Sequence, residues 1–351
     1  MIRKKIKVLV IDDSALAREI ISRGLSRDPS IEVVGTAMDV YVARDKIIFR
    51  KPDVLTLDIE MPRMDGVEFL KRLMPQYPLP VVIVSSMSKP GAKITLEALE
   101  NGAIDYVLKP SKKIGEGLNE MMKELISKIK MANDVDVSHW KSIVGVYEPQ
   151  RKVSKRVLEG TTDKIIAIGA STGGTVAITK ILERFPADMP GTVVVQHMPP
   201  GFTMMFADKL NETCKIEVKE AEDGDRIISG RALIAPGDYH MRVLRSGGQY
   251  LVKCNRGAKV NGHCPSVDVL FDSVAENVGP NAIGVILTGM GRDGASAMLN
   301  MRKAGARTVA QDEKSSIIFG MPKEAYACGG AEKLVNLNQI PEEILKLLEV
   351  M

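Results

Sequence analysis

A serine stands among glycines at Gly169-Ala170-Ser171-Thr172-Gly173-Gly174, directly after the apolar run Ile165-Ile166-Ala167-Ile168. The run reads as a buried strand. The glycines let the chain turn sharply into a helix, which holds the Ser171 hydroxyl clear of its own backbone with N-terminal amides close by to receive negative charge. That is the placement of a nucleophile, and a serine attacks only once a base removes its proton, usually a histidine near neutral pH. The chain has four histidines, and His139 lies in a polar stretch between two patterned halves, leaving His197, His240 and His263. His197, in Val195-Gln196-His197-Met198-Pro199-Pro200, ends the strand after the one that carries Ser171, so adjacent parallel strands would bring the two to one edge. His240, in Pro236-Gly237-Asp238-Tyr239-His240, reads as a loop residue of a hairpin insert. A carboxylate near the same edge must orient the imidazolium. Asp293, in Thr288-Gly289-Met290-Gly291-Arg292-Asp293-Gly294, is placed for this after the apolar strand Ile283 to Leu287; it also fits an N-cap of the next helix, and it can be both. Asp223 and Asp225, in Glu222-Asp223-Gly224-Asp225, are rival carboxylates that fit a turn as well. The 288–294 loop can supply main-chain N–H donors to an oxyanion.

A second set of residues belongs to a different chemistry. Asp12 and Asp13 follow a first strand, Asp58 ends a third, Ser85 follows a fourth and Lys109-Pro110 ends a fifth. The carboxyl ends of strands in an open parallel sheet share one edge, so these residues should converge. Three carboxylates in a small volume repel unless a hard divalent cation sits among them, and Mg²⁺ suits an oxygen-only site. Such an ion would neutralise an incoming phosphoryl group, with Asp58 attacking it, Lys109 pairing with its oxygens and the Ser85 hydroxyl receiving it.

Positioning these residues takes two sheets. From Ile6 to about Lys130, strand candidates at Ile6 to Ile11, Ile31 to Gly35, Val54 to Leu57, Val81 to Val84 and Ile104 to Leu108 alternate with helix-length segments. Ala15 to Arg27, Gly66 to Met74 and Lys93 to Asn101 are examples, and five βα units in one parallel sheet follow. Residues 131–160, including Asn133-Asp134-Val135-Asp136 and Glu148-Pro149-Gln150-Arg151-Lys152, lose this rhythm and read as a linker. The linker holds the only tryptophan, Trp140. After Lys164, strands are expected near Ile165 to Ile168, Thr192 to Val195, Ile216 to Lys219, Ala282 to Leu287 and Thr308 to Ala310. Two hairpin strands are expected around Arg231 to Ile234 and Tyr250 to Cys254. The expected class is therefore α/β with two doubly wound parallel-sheet domains. The first (1–130) would be flavodoxin-like and the second (161–351) Rossmann-like with a β-hairpin insert.

Bulk properties narrow the function. At 351 residues the chain exceeds what one core usually accommodates, in keeping with two domains. A net charge of +4 with 26% charged residues of mixed sign, and no basic block, argues against a nucleic-acid partner. No apolar run approaches the roughly 18 residues of a membrane span, and the start, Met1-Ile2-Arg3-Lys4-Lys5-Ile6, leads into a strand without a signal-peptide core. A cytoplasmic protein is expected. Cys214, Cys254, Cys264 and Cys328 are scattered without a C-x-x-C, so reduced thiols are expected rather than a disulfide framework or a zinc site.

The first half resembles the receiver domain of bacterial response regulators. The likeness rests on Ile11-Asp12-Asp13-Ser14, Leu57-Asp58-Ile59-Glu60-Met61-Pro62-Arg63-Met64-Asp65-Gly66, Ser85-Ser86 and Asp105-Tyr106-Val107-Leu108-Lys109-Pro110. It implies Asp58 as phosphoacceptor, Asp13 and Asp58 as direct Mg²⁺ ligands with the Glu60 carbonyl, and Asp12 as an outer ligand. Tyr106 would report the state of Ser85, and it equally fits a core aromatic at a strand end. The second half is similar to the CheB family of chemotaxis protein-glutamate methylesterases. That likeness rests on the Ser171 and His197 segments, Glu220-Ala221-Glu222-Asp223-Gly224-Asp225, Ile234-Ala235-Pro236-Gly237, Pro265-Ser266-Val267-Asp268-Val269-Leu270-Phe271 and Leu287 through Gly294. It implies a Ser171, His197, Asp293 triad with an oxyanion held by main-chain N–H groups of Met290 and Thr172, and no cofactor for the esterase. The implied substrates are glutamate γ-methyl esters, and also glutamines, on the cytoplasmic helices of methyl-accepting chemoreceptors. The implied phosphodonor is the chemotaxis histidine kinase, and recruitment to membrane receptor arrays follows. The unphosphorylated receiver would dock over the Ser171 site and exclude the receptor helix. Cys264 departs from the family pattern, in which arginine is expected before Pro265-Ser266-Val267-Asp268, so no substrate contact is carried over there.

Three other readings make different demands. Gly169-Ala170-Ser171-Thr172-Gly173 satisfies G-x-S-x-G, and a generic α/β-hydrolase would want the order Ser, Asp, His, as in Ser171, Asp225 and His240. A nucleotide-phosphate cradle would want G-x-G-x-x-G, which is absent. A DNA-binding output domain would want a basic recognition helix, which the repeated βα units do not offer.

Overall fold

The computed structural model describes residues 4–61, 65–86, 88–110, 116–137 and 163–351. Pro62, Arg63, Met64, His139, Trp140 and most of the expected linker lie outside the described residues. The chain divides into two compact units, Met1–Glu148 and Pro149–Met351.

In the first unit, β1 (Ile6–Ile11), β2 (Ile31–Ala37), β3 (Val54–Leu57), β4 (Val81–Ser85) and β5 (Asp105–Leu108) form one sheet in the order β2-β1-β3-β4-β5. Every pairing is parallel. Strands covered by helices on both faces read as unbroken apolar runs, and Val8, Leu9, Val10, Val54 and Leu55 are wholly buried accordingly. The helices start where short polar side chains can accept orphan N–H groups. Ser14 accepts from Ala17 at α1 (Ala15–Leu25), Asp39 from Tyr41 and Val42 at α2 (Val40–Arg50), and Asp65 from Glu68 at α3 (Gly66–Gln76). α4 (Lys89–Glu100) begins a turn earlier than expected, because Ser88 caps Gly91 and Pro90 sits in the first turn, where a missing N–H costs nothing. α5 (Glu116–Asn133) runs through the first three residues assigned to the linker.

The second unit holds a seven-stranded parallel sheet ordered β14-β13-β12-β6-β7-β9-β8. Its strands are β6 (Ile165–Ala170), β7 (Gly191–Gln196), β8 (Glu217–Glu220), β9 (Arg231–Ile234), β12 (Ala282–Ile286), β13 (Arg307–Gln311) and β14 (Lys333–Val335). β6 lies between β12 and β7, so three neighbouring strands deliver Ser171, His197 and the 288–294 loop to one sheet edge. Two expectations are corrected here. Arg231 to Ile234 is no hairpin strand: it pairs in parallel with β7 and β8, and Ala232, Leu233 and Ile234 are wholly buried. The hairpin is instead β10 (His240–Ser246) with β11 (Gln249–Asn255), turning at Gly247-Gly248. Edge strand β14, three residues long, carries too little pattern to be foreseen.

The helices of this unit are α6 (Gly174–Leu182), α7 (Phe202–Thr213), α8 (Val267–Asn277), α9 (Ala295–Lys303), α10 (Met321–Ala327) and α11 (Ile340–Val350). Val267, Leu270, Phe271 and Val274 of α8 join Ile165 and Ala167 of β6 and Met298 and Met301 of α9 in one core. Among the described residues no helix is long and apolar enough to cross a membrane. The four cysteines are free thiols.

Candidate active site

Ser171 follows β6 and is locked by its main chain. Its N–H donates to Thr288 O at 3.1 Å, while its carbonyl accepts from Gly174 N at 2.7 Å and from Gln196 Nε2 at 2.9 Å. The chain then enters α6 through Gly173 at φ 77°, a conformation that favours glycine. Gly289 is required by contact rather than by φ: a Cβ there would stand 2.8 Å from Ser171 Cβ and 2.4 Å from Met321 Sδ. The 288–294 loop thus lies directly against the serine.

His197 N donates to Ala170 O at 3.2 Å, which fixes the residue beside the end of β6. In the side chain, Nε2 meets Asp293 Oδ2 at 2.8 Å, whereas buried Nδ1 has no hydrogen-bond partner. Asp293 is buried and heavily supplied with donors. Val267 N reaches Oδ2 at 2.7 Å, and Ser266 Oγ, Asn261 Nδ2 and Asp268 N reach Oδ1 at 2.7, 2.9 and 3.2 Å. Burial alone would raise its pKa, but the bonds from His197, Asn261 and Ser266 and the His197 charge outweigh it and hold the carboxyl well below the usual range.

The alternative N-cap role of Asp293 takes an unexpected form. Gly294 is the N-cap of α9 and offers no side chain, and the Asp293 carboxylate instead serves the N-terminus of α8. Asp268 reciprocates from α8, its Oδ1 accepting from Gly294 N and Ala297 N, each at 3.1 Å. Each helix start is therefore held by a carboxylate from the other segment. His263, left unassigned by the sequence, lies flat on His197 with ring centroids 3.6 Å apart and planes 9° apart. Asn261 was not singled out either, and Ser266 and Asp268 stood only within the Pro265–Phe271 segment of the family likeness, without a role. The Asn261-Gly262 pair is a recognised hairpin-turn signal and was the one cue available.

Of the candidate oxyanion donors, Thr172 is buried with its carbonyl accepting from Thr288 Oγ1 at 3.0 Å, and the Met290 side chain is half exposed. The rival set does not assemble. His240 is buried and donates from Nε2 to Ala258 O at 2.9 Å, while Asp225 accepts from Glu222 N at 2.7 Å and pairs with Lys219. Asp223 accepts from Lys253 Nζ and Cys254 N.

In the first unit, Asp12, Asp13 and Asp58 bring carboxylate oxygens within 4.8 Å of one another. Lys109 Nζ bridges two of them, at 2.8 Å from Asp12 and 2.5 Å from Asp58. Burial raises the Asp12 pKa, aided by the Asp58 charge, against the pull of Lys109. Burial would lower Lys109, but its two carboxylate partners keep it above the ordinary lysine value. The donor set is all oxygen and carries more negative charge than one ammonium balances, so it fits a hard divalent cation. Glu60 N donates to Asp58 Oδ1 at 3.0 Å, and the Glu60 carboxylate accepts from Ser86 and Ser88. Ser85 is buried, its hydroxyl 2.9 Å from Thr95 Oγ1, which in turn lies 2.7 Å from Gly91 O. Tyr106 is buried under the Lys128 ammonium, 5.2 Å from the ring centre.

Residues 166–344 match the family model described as CheB methylesterase, and residues 8–119 match the response regulator receiver domain. The chain is 62% identical over 346 residues to the protein-glutamate methylesterase/protein-glutamine glutaminase of Syntrophotalea carbinolica, covering 98% of each. Its identity to the Escherichia coli O157:H7 protein of that name is 51% over 341 residues, covering 97% of this chain and 96% of that one. The crystal structure of the Thermotoga maritima CheB methylesterase catalytic domain aligns with a TM-score of 0.52 and 39% identity, covering 54% of this chain and 100% of that one. Because the likeness extends through both units and nearly the full length, the chain belongs to the CheB methylesterase family, with a response regulator receiver domain ahead of the esterase domain.

Proposed function

We propose that the chain is a phosphorylation-regulated serine hydrolase that cleaves glutamate γ-methyl esters on chemoreceptors and deamidates receptor glutamines, with Ser171, His197 and Asp293 as its triad. The observation that carries this reading is the 2.8 Å bond between a buried, donor-saturated Asp293 and His197, which follows the strand paired with the one that leads into Ser171. Asp293 holds Nε2, so Nδ1 is the nitrogen left to take the Ser171 proton. Ser171 Oγ attacks the ester carbonyl, and main-chain N–H groups of Met290 and Thr172 receive the oxyanion. The C–O bond breaks as His197 returns the proton, releasing methanol. Water, deprotonated by the same histidine, then cleaves the acyl-serine and regenerates the glutamate side chain. With glutamine as substrate the leaving group is ammonia.

In the receiver, Asp58 takes the phosphoryl group from the chemotaxis histidine kinase, and Lys109 pairs with its oxygens. Asp12, Asp13, Asp58 and the Glu60 carbonyl would hold Mg²⁺, which supplies charge neutralisation for the incoming group. Ser85 and Tyr106 register the change. Residues 1–130 form the receiver, 131–160 the linker and 161–351 the esterase, working in the cytoplasm at the receptor array.

The test is methanol release from methylated receptor, with and without a small phosphodonor. Ser171→Ala and His197→Ala should each lower kcat by about a thousandfold or more, since triad members act as a unit. Near-normal turnover by Ser171→Ala would make bound water the nucleophile and end the triad reading.

A further inference from the structure

We infer that the turn Val260–His263 is a positioning device for the acid–base pair, with His263 fixing the plane of His197 and Asn261 fixing the carboxylate of Asp293. This inference rests on the triad reading above. The turn is rigid by construction. Val260 and His263 exchange both backbone hydrogen bonds, at 3.0 and 2.9 Å, and the two residues between them, Asn261 and Gly262, take φ 51° and 84°. Those are the two positive φ values a two-residue type I′ turn demands, and Asn-Gly is the pair that meets them with least strain. The directions of the Asn261 and His263 side chains are therefore fixed relative to each other.

Both side chains end on the pair. The Asn261 amide has two hydrogens, and two carboxylates take them: Asp293 Oδ1 at 2.9 Å and Asp268 Oδ2 at 2.6 Å. Its orientation is forced, and so is that of the Asp293 oxygen it holds. His197 makes a single side-chain hydrogen bond, through Nε2, and one bond alone leaves an imidazole free to swing about its axis. The His263 ring, parallel at 3.6 Å, covers the face of His197 and removes that motion. The remaining freedom is sliding in the plane, which Asp293 restrains. Proton transfer to and from a serine tolerates displacements well below an ångström, so a ring held on edge and face is worth rate rather than affinity. His263 and Asn261 are positioning residues here, acting through His197 and Asp293.

The experiment uses the full-length chain and methanol release from methylated receptor, with unfolding temperatures measured alongside. His263→Ala should lower kcat about 10- to 100-fold with KM within about twofold. His263→Phe, which keeps a flat ring, should stay within about fivefold of the parent. Asn261→Ala should lower kcat and shift or broaden the low-field imidazole proton resonance of the His197–Asp293 bond. An unaltered kcat in His263→Ala would overturn the inference, and so would His263→Phe as impaired as His263→Ala, since imidazole chemistry would then be required. A rise in KM alone would make His263 a substrate contact and overturn it too. If His263→Ala unfolds, His263→Leu, bulky but not flat, replaces it with the same criteria. His197→Ala is the control that separates the two levels. If it remains active, the triad itself is wrong; if it is dead while the His263 variants turn over normally, only the positioning role falls.

Discussion

Asp293 joins chemistry to folding in one carboxylate. It accepts from His197, Val267, Ser266, Asn261 and Asp268, so replacing it unpairs donors on several segments at once. Leaving buried donors unsatisfied costs about 1–3 kcal/mol, and Asp293→Ala should lose roughly that in urea denaturation in addition to most of its activity. Asp293→Asn should keep the shape, lose less stability and retain more residual turnover than Ser171→Ala, because in the proposed triad this residue orients rather than reacts. The pH dependence has a definite sign. The folded-state pKa lies below the unfolded value of about 3.9, so the charged carboxylate stabilises the fold at neutral pH, and this contribution is lost progressively as pH falls below about 4. The stability gap between the parent and Asp293→Asn should accordingly narrow from pH 6 to pH 3. A gap independent of pH would mean that the carboxylate's charge contributes nothing.

Elements bring these residues together by contact as much as by hydrogen bonding. Gly289→Ala should press its methyl onto Ser171 and Met321 and displace the 288–294 loop, costing about 1–3 kcal/mol and at least tenfold in kcat. Gly248→Ala, in the hairpin turn with open space around it, should change neither, which makes it the matched control in a thermal melt and an esterase assay. The strand ends that carry Asp12, Asp58, Ser85, Lys109, Ser171 and His197 were legible because both faces of a parallel strand are covered, and the resulting apolar run stops where the chain leaves the sheet. That same property hid the nature of Arg231–Ile234. A short apolar run looks alike in a hairpin and in a parallel sheet, and only its neighbours β7 and β8 decide. β10 was missed because its alternation holds only over Met241, Arg242 and Val243 and is then broken by exposed Leu244 and by Arg245. The residues that contact the proposed triad, Asn261, His263, Ser266 and Asp268, could not be read from spacing, since a side chain's direction from a turn depends on backbone angles the sequence only partly specifies.

At the scale of the molecule, each unit has its own sheet, so the halves can be separated experimentally. Deleting residues 1–148 should leave a folded esterase whose basal methanol release rises toward the phosphorylated level, while Asp58→Ala in the full chain stays low. An isolated second unit less active than the unphosphorylated whole would make the receiver an activator rather than a restraint. Labelling of the full chain by a small phosphodonor should vanish in Asp58→Asn and in excess chelator; stable labelling of that variant would refute Asp58 as acceptor. The Ser85 hydroxyl, proposed to sense the phosphoryl group, is paired with that of Thr95, and here counting protons has a consequence. Each hydroxyl has one proton to give: Ser85 Oγ donates to Ser86 O at 3.4 Å, and Thr95 Oγ1 can donate either to Ser85 Oγ at 2.9 Å or to Gly91 O at 2.7 Å. A phosphoryl oxygen can only accept. If Ser85 turns its proton away from Ser86 O toward one on Asp58, its lone pairs turn as well, and the balance between the two acceptors of the Thr95 proton, Ser85 Oγ and Gly91 O, shifts. Phosphorylation would thus reach the first turn of α4 as a change in how the Thr95 proton is shared. Thr95→Val has no proton to share, and in that variant amide exchange over residues 91–95 should no longer respond to phosphorylation.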